Sequence, residues 1–265
     1  MIGPSLKGSE MYESLSTASV ASIIFACTFA AALLGMLLRR KLPAPHWNED
    51  SKDVMKLVMG LIATMAALVL ALLIASAKSS YDTQDAELQQ VSATVIELDG
   101  LLAHFGPDAR EARRRLQSVV SAAAEEIGSK DEVRLGSPAS QVEGKTFFDS
   151  IQNLSPNTES QRFIQKRAFK IGAALRHLRA LMISQASISA IPWPFLTVLV
   201  FWISVLFLGF GLFARLNAII IVTLLMGALS VSSGIYLILE LNNPYHGLMR
   251  ISDAPLRKAL AEINH

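Results

Sequence analysis

Residues Leu57–Ala77 read LVMGLIATMAALVLALLIASA, a run without a single Asp, Glu, Lys or Arg. A bilayer's hydrocarbon core of about 30 Å is crossed by about 20 helical residues, so the length fits one span. No water satisfies backbone N–H and C=O groups at that depth, and an isolated segment must satisfy its own as a helix. Three more uncharged blocks have the same character: Ala18–Leu38, Phe195–Phe213 and Asn217–Leu239. They account for a chain that is 52% hydrophobic with a mean hydropathy of +0.41. Arg39, Arg40 and Lys41 directly follow the first block, where a cleaved leader would need small residues, so the block reads as an anchor. The fold class is therefore all-α: a membrane protein with four transmembrane helices.

The spans come as two pairs separated by a long polar stretch, which gives three regions. Residues 1–78 hold helices one and two, 79–190 an extramembrane helical domain, and 191–265 helices three and four with a short C-terminal tail. In the middle region Leu88, Val91, Val95, Leu98, Leu102 and Phe105 alternate spacings of three and four, one apolar stripe on a helix continuing out of span two. Gly106-Pro107 ends it, and Pro107 and Asp108 suit the first turn of a second helix. The stripe of that helix is Ala109, Ala112, Leu116, Val119 and Ala123. Residues 128–145, with Gly128, Gly136, Pro138 and Gly144, read as a loop, followed by a short helix holding Phe147, Phe148 and Ile151. After Pro156 a third long helix carries Ile164, Ile171, Leu175, Leu178 and Met182. These stripes pack either as a bundle within one chain or as walls of an oligomer. Arg113, Arg114 and Arg115 form a basic run that suits a solvated face paired with Glu111, or an anion contact.

Several function classes are disfavoured. A net charge of +2 from 24 basic and 22 acidic side chains gives no electrostatic footprint for nucleic acid. The single Cys27 lies mid-span, supports no disulfide or zinc site and is expected to serve packing. The histidines, His46, His104, His177, His246 and His265, lack metal-ligand spacing, and no phosphate loop or nucleophile elbow is present. No catalytic residue, metal site or cofactor is expected, and the protein does not read as an enzyme.

The spans carry more than apolarity. Gly60, Thr64, Ala67, Ala71, Ala75 and Lys78 share one side of helix two, and Leu61, Met65, Leu68 and Leu72 another. Small residues allow close helix approach in lipid, or they line a narrow pore. Helix four has a similar polar and small face of Thr223, Gly227, Ser230 and Gly234, with Ser232 and Ser233 nearby and Glu240 at its end. Such a carboxylate faces a water path, a partner or the membrane interface. Helix three is rich in aromatics, with Trp193 placed as an interfacial anchor.

Two stretches carry a family resemblance. The first is Ala77-Lys78-Ser79-Ser80-Tyr81-Asp82. The second is Glu240-Leu241-Asn242-Asn243-Pro244-Tyr245-His246-Gly247, followed by Arg250-Ile251-Ser252-Asp253-Ala254-Pro255-Leu256. With Leu42-Pro43, Asp50-Ser51, Gly60-Leu61-Ile62-Ala63-Thr64 and Gly106-Pro107, they resemble the bacterial bestrophin-like membrane family, distantly similar to bestrophin ion channels. The C-terminal motif is Asn243, Pro244, Tyr245 and Gly247, with Arg250 beyond. His246 departs from the bestrophin pattern, and no calcium site is carried over because no acidic run follows Gly247. The resemblance implies a homo-oligomer, a pentamer in bestrophins, in a bacterial inner membrane. It implies small inorganic ions as cargo and a neck lined by helix two. Pore-lining candidates are then Gly60, Thr64, Ala67, Ala71 and Ala75. Lys78 would favour anions at the pore mouth, and Asp82 and Asp85 cations. The resemblance also implies that 79–190 is cytosolic, whereas the basic loop with Arg39, Arg40, Lys41 and Lys52 points to the opposite sidedness; the resemblance is preferred. The competing expectation is a non-conducting membrane scaffold or regulator whose helical domain is a docking surface.

Overall fold

The computed structural model describes residues 17–41, 49–128, 138–186, 193–214, 217–242 and 249–264; the side chains of 49–52, 138–140 and 186 are not described. Among the described residues there are α-helices, one 3₁₀ turn and no strand. In chain order the helices are α1 (Thr17–Lys41), α2 (Glu49–Phe105), α3 (Arg110–Gly128), α4 (Pro138–Gln152), α5 (Glu159–Ala186), α6 (Trp193–Phe213), α7 (Ala218–Leu241) and α8 (Ala254–Ile263). Four of them, α1, α2, α6 and α7, are long and apolar enough to cross a membrane. The chain forms two compact units: Met1–Ser79 with Ala190–Asn242, and Ser80–Ser189 with Asn243–His265.

In the first unit α1 packs along α6 and α7. The contact with α6 is built on glycine. A Cβ placed on Gly35 would fall 2.1 Å from the Leu208 carbonyl oxygen, and one on Gly211 2.1 Å from that of Ala32. Only hydrogen at both positions permits this backbone approach, which compensates for the lack of a hydrophobic drive between helices in lipid. Ser232 Oγ donates to the Ala21 carbonyl at 2.6 Å, linking α7 to α1 inside the apolar layer. Arg39 donates to the Phe213 carbonyl, satisfying one of the last-turn acceptors that α6 cannot pair internally.

The second unit contains the soluble-type core. Leu88, Val95, Leu98, Leu102 and Phe105 of α2 are all almost fully buried, as the spacing requires, and Val91 of the same stripe is partly buried. Gly106 ends α2 with a φ of 110°, a conformation L side chains rarely adopt, and Pro107 opens the 3₁₀ turn Pro107–Ala109. On α3 the buried line is Ala112, Leu116, Val120, Ala124 and Ile127. It drifts one position from the expected stripe, leaving Val119 and Ala123 partly buried beside it. At 3.6 residues per turn, successive steps of four walk a stripe round the helix, and the neighbours it packs on decide which side it follows.

Two glutamines close the far end of this bundle. Thr158 Oγ1 accepts from Gln161 N at 3.1 Å, and Gln161 Oε1 accepts from Thr158 N at 3.3 Å, a reciprocal cap at the start of α5. The Gln161 amide also donates to the Phe105 carbonyl at 2.9 Å, and Gln165 to the Leu154 carbonyl at 2.7 Å. Both bonds satisfy carbonyls at or just past the C-terminal ends of other helices.

Three expectations change. Residues 138–145 are helix, not loop: Pro138 is the first residue of α4, a position where its missing N–H costs nothing. Packing of Phe147 and Ile151, at 2% and 0% exposure, outweighs Gly144 within the helix. The C-terminal residues, read as a tail of the last span, instead belong to the second unit. Leu256, Ala259 and Ile263 of α8 are buried in its core, and Gln117 donates to the Ile263 carbonyl at 2.8 Å. Cys27, expected in packing, is exposed in the protomer.

Candidate functional site

The membrane segment of α2 is the least enclosed of the four spans, with 11% of its most apolar window buried against 33% for α1, 39% for α6 and 22% for α7. The buried line is Ala66, Leu73 and Ala77. Met59 adds a contact, its thioether lying against Gly209 of α6. Gly60, Thr64, Ala67, Ala71 and Ala75 are all exposed, and nothing lies within 4 Å of a Cβ placed on Gly60. Leu61, Met65, Leu68 and Leu72 are exposed as well. The helix therefore presents two uncovered faces of different chemistry, one of methyls and a hydroxyl and one of large aliphatic chains. Thr64 Oγ1 bonds back to the Leu61 carbonyl at 2.8 Å, which meets its donor and leaves its methyl and oxygen lone pair on the small face.

Past the span, Lys78 and Asp82 are exposed, and Asp85 is half-buried and accepts from Gln89 at 2.9 Å. These three residues fall within about two helical turns on one continuous helix.

On α7, Thr223 and Ser230 are exposed and Gly227 and Gly234 half-buried. Thr223 Oγ1 bonds to the Ile219 carbonyl, and Gly227 abuts the Phe207 ring at 3.4 Å. Ser232 differs from its neighbours: it faces inward on α1. Glu240 is only 2% exposed. Thr17 donates to its Oε2 at 3.2 Å, and Tyr236 hydrogen-bonds it too. Of the settings expected for this carboxylate, the protomer supplies a partnered, enclosed one at the junction of α1 and α7. Asn243, Pro244, Tyr245 and Gly247 lie outside the described residues, as do His46, His246 and His265; Arg250 is half-buried.

The arginine run divides its work. Arg113 meets Asp99 through two hydrogen bonds of 2.8 and 2.7 Å, joining α3 to α2 beside a carboxylate whose side chain is 8% exposed. Those bonds hold the guanidinium's pKa above its ordinary value against the opposing effect of burial. Arg114 and Arg115 both pair with Glu111 on the exposed side. Sequence spacing could not find the Asp99 partner, which lies on another helix. Among the described residues no cluster of His, Cys, Asp and Glu is arranged to hold a metal.

The family model of the bestrophin-like domain matches residues 26–256, most of the chain. The protein belongs to the bestrophin-like family. A crystal structure of a point mutant of a bacterial bestrophin homologue from Klebsiella pneumoniae matches with a TM-score of 0.65 at 11% identity. The match covers 93% of this bestrophin-like chain and 98% of that one. At this identity the likeness speaks for the fold. No curated protein matches the bestrophin-like chain significantly.

Proposed function

We propose that this bestrophin-like protein is the subunit of a homo-oligomeric ion channel in a bacterial inner membrane, with its pore lined by α2. The observation that carries the reading is the pair of uncovered faces on α2. Gly60, Thr64, Ala67, Ala71 and Ala75 are exposed among the described residues, and beside them lies a separate row of large apolar side chains. Lipid or a neighbouring subunit suits the large row. The small row suits a symmetry axis, where several copies of a helix must approach one another and still leave an open path. A wall of methyls and hydroxyls gates by wetting and dewetting, and charged rings at its mouth set selectivity. Lys78 and the Asp82 and Asp85 carboxylates are the candidates for those rings, at the end of the span. Five copies is the number the bestrophin likeness favours, with residues 79–190 on the cytosolic side.

Flux assays on the purified oligomer in liposomes test this directly. Thr64→Leu is expected to cut ion flux at least tenfold while leaving oligomer size unchanged, since dewetting of a narrow constriction depends steeply on the side chains that ring it. An oligomer that assembles with α2 at its periphery, or that conducts identically after the change, removes α2 from the pore. An intact oligomer that passes no ions and co-purifies with a protein partner favours the scaffold instead.

A further inference from the structure

An open pocket of about 660 Å³ is cut into the second unit, between α2, α3, α4 and α5, with Leu256 of α8 also on its wall. Its size falls within the range of small-molecule sites, about 300–1,000 Å³. The interior is apolar, with Val95, Val120, Phe147 and Met182 among the walls. Because the pocket opens outward, its apolar wall faces water when empty, and an apolar occupant gains by removing that wall from water.

The border of the pocket is charged. Lys145 of α4 and Arg176 and Arg179 of α5 line it, together with Glu126 and Asp149. Arg176 and Arg179 are three residues apart and so share a helix face. The Arg176 guanidinium sits 4.3 Å from the centroid of the Phe148 ring, which fixes it where apolar wall meets polar rim. Gly172 lets that ring lie against α5, with ring carbon Cζ 3.1 Å from where a Cβ would stand. Arg179 passes close to α4, its Nη1 3.8 Å from where a Cβ on Gly144 would stand. Among the described residues neither Arg176 nor Lys145 has a carboxylate within ion-pair distance, although both border a pocket that also presents Glu126 and Asp149.

We infer that this pocket binds a single-chain amphipathic carboxylate of the fatty-acid class. The hydrocarbon chain occupies the space between α2, α3, α4 and α5, and the carboxylate meets Arg176, in the positive field that Arg179 adds beside it. A guanidinium recognises a planar carboxylate through two parallel hydrogen bonds, and its place over Phe148 sets the head group at the pocket mouth with the chain directed inward. The site lies wholly outside the proposed pore face and does not depend on conduction.

Photolabelling of the full-length oligomer in lipid nanodiscs tests the inference. The probe is a palmitate analogue with a carbene-generating diazirine on its chain, and the labelled peptides are mapped by mass spectrometry. Labelling is expected within residues 138–152 and 159–186, displaced by excess palmitate and not by hexadecanol, which has the same chain without the charge. The double substitution Arg176→Gln with Arg179→Gln is expected to lower labelling by more than about tenfold, since a single lost charge-assisted hydrogen bond already accounts for about tenfold. These are rim positions, so oligomer size is expected to hold, with only a small drop in melting temperature from the lost Arg176–Phe148 contact. Ala123→Trp, which fills the pocket from α3, is expected to abolish labelling, and the rim variant decides the outcome if that protein fails to fold. Equal displacement by hexadecanol, label confined to the four apolar spans, or displacement by phosphatidylglycerol and not by palmitate would each overturn it.

Discussion

Gly35→Ala places a methyl 2.1 Å from the carbonyl oxygen of Leu208 and 3.0 Å from the amide nitrogen of Leu212. Ordinary van der Waals contact begins at 3.4 Å, so α1 and α6 must separate by roughly 1 Å along their closest approach. Both obstructing atoms are backbone, and no rotamer change relieves the clash. Overpacking of a well-packed contact costs about 1–3 kcal/mol, and a backbone clash belongs at the upper end. Alanine returns at most about 1 kcal/mol of helix propensity over glycine, which leaves a net destabilisation of about 2 kcal/mol. Gly211→Ala is expected to behave alike, because its methyl would meet the Ala32 carbonyl oxygen at 2.1 Å. Gly234→Ala is the control: nothing lies within 4 Å of its added methyl, so it is expected to be neutral or slightly stabilising. Gly209→Ala meets only the Met59 thioether, a flexible side chain, and is expected to fall between. Melting of the four purified variants in one detergent gives the ranking. If Gly35→Ala and Gly211→Ala melt no lower than Gly234→Ala, the close backbone approach of α1 and α6 is refuted.

Arg113→Ala is expected to destabilise by about 2–3 kcal/mol, since it strands the Asp99 carboxylate in a largely enclosed position, whereas Arg114→Ala and Arg115→Ala, which break only exposed pairs with Glu111, are expected to stay within about 0.5 kcal/mol. Chemical or thermal melts of the three variants separate these outcomes, and equal values for all three would contradict the assigned pairing. The raised pKa of Arg113 means that its pairing stabilises the fold at every pH below its unfolded value and is lost only as pH rises through the folded one. This pair is therefore expected to contribute nothing to any stability change between about pH 7 and 10, where arginine stays charged. The wild-type and Arg113→Ala melting curves should keep a constant separation across that window. Gly106→Ala, at a φ of 110°, is expected to cost about 1–3 kcal/mol by backbone strain alone, read as a lower melting temperature with unchanged helix content.

The four spans were legible because a bilayer imposes a length and a polarity that single segments must meet alone. The α2 stripe was equally legible, since Leu88 to Phe105 keep one face over five turns of an uninterrupted helix. Spacing also gathered Gly60, Thr64, Ala67, Ala71 and Ala75 on one side of α2. It could not tell a face sealed by another helix of the chain from one left uncovered. The small residues of the tight helix contact are Gly35 and Gly211, on the first and third spans, which no spacing pattern singles out.

What the sequence determined by itself was the set of local consequences: which segments are apolar over membrane length, where Gly106-Pro107 stops a helix, and which side of α2 is small. Tertiary structure decided everything that joins residues distant in the chain. It paired Asp99 with Arg113 on another helix, set Gly35 of α1 against the Leu208 carbonyl of α6, and enclosed Glu240 with Thr17. It also drew α8 into the core made by residues 80–189. The physical reason is that periodicity records only the direction in which a side chain leaves its own helix. What occupies the space in that direction depends on how the other helices fill it.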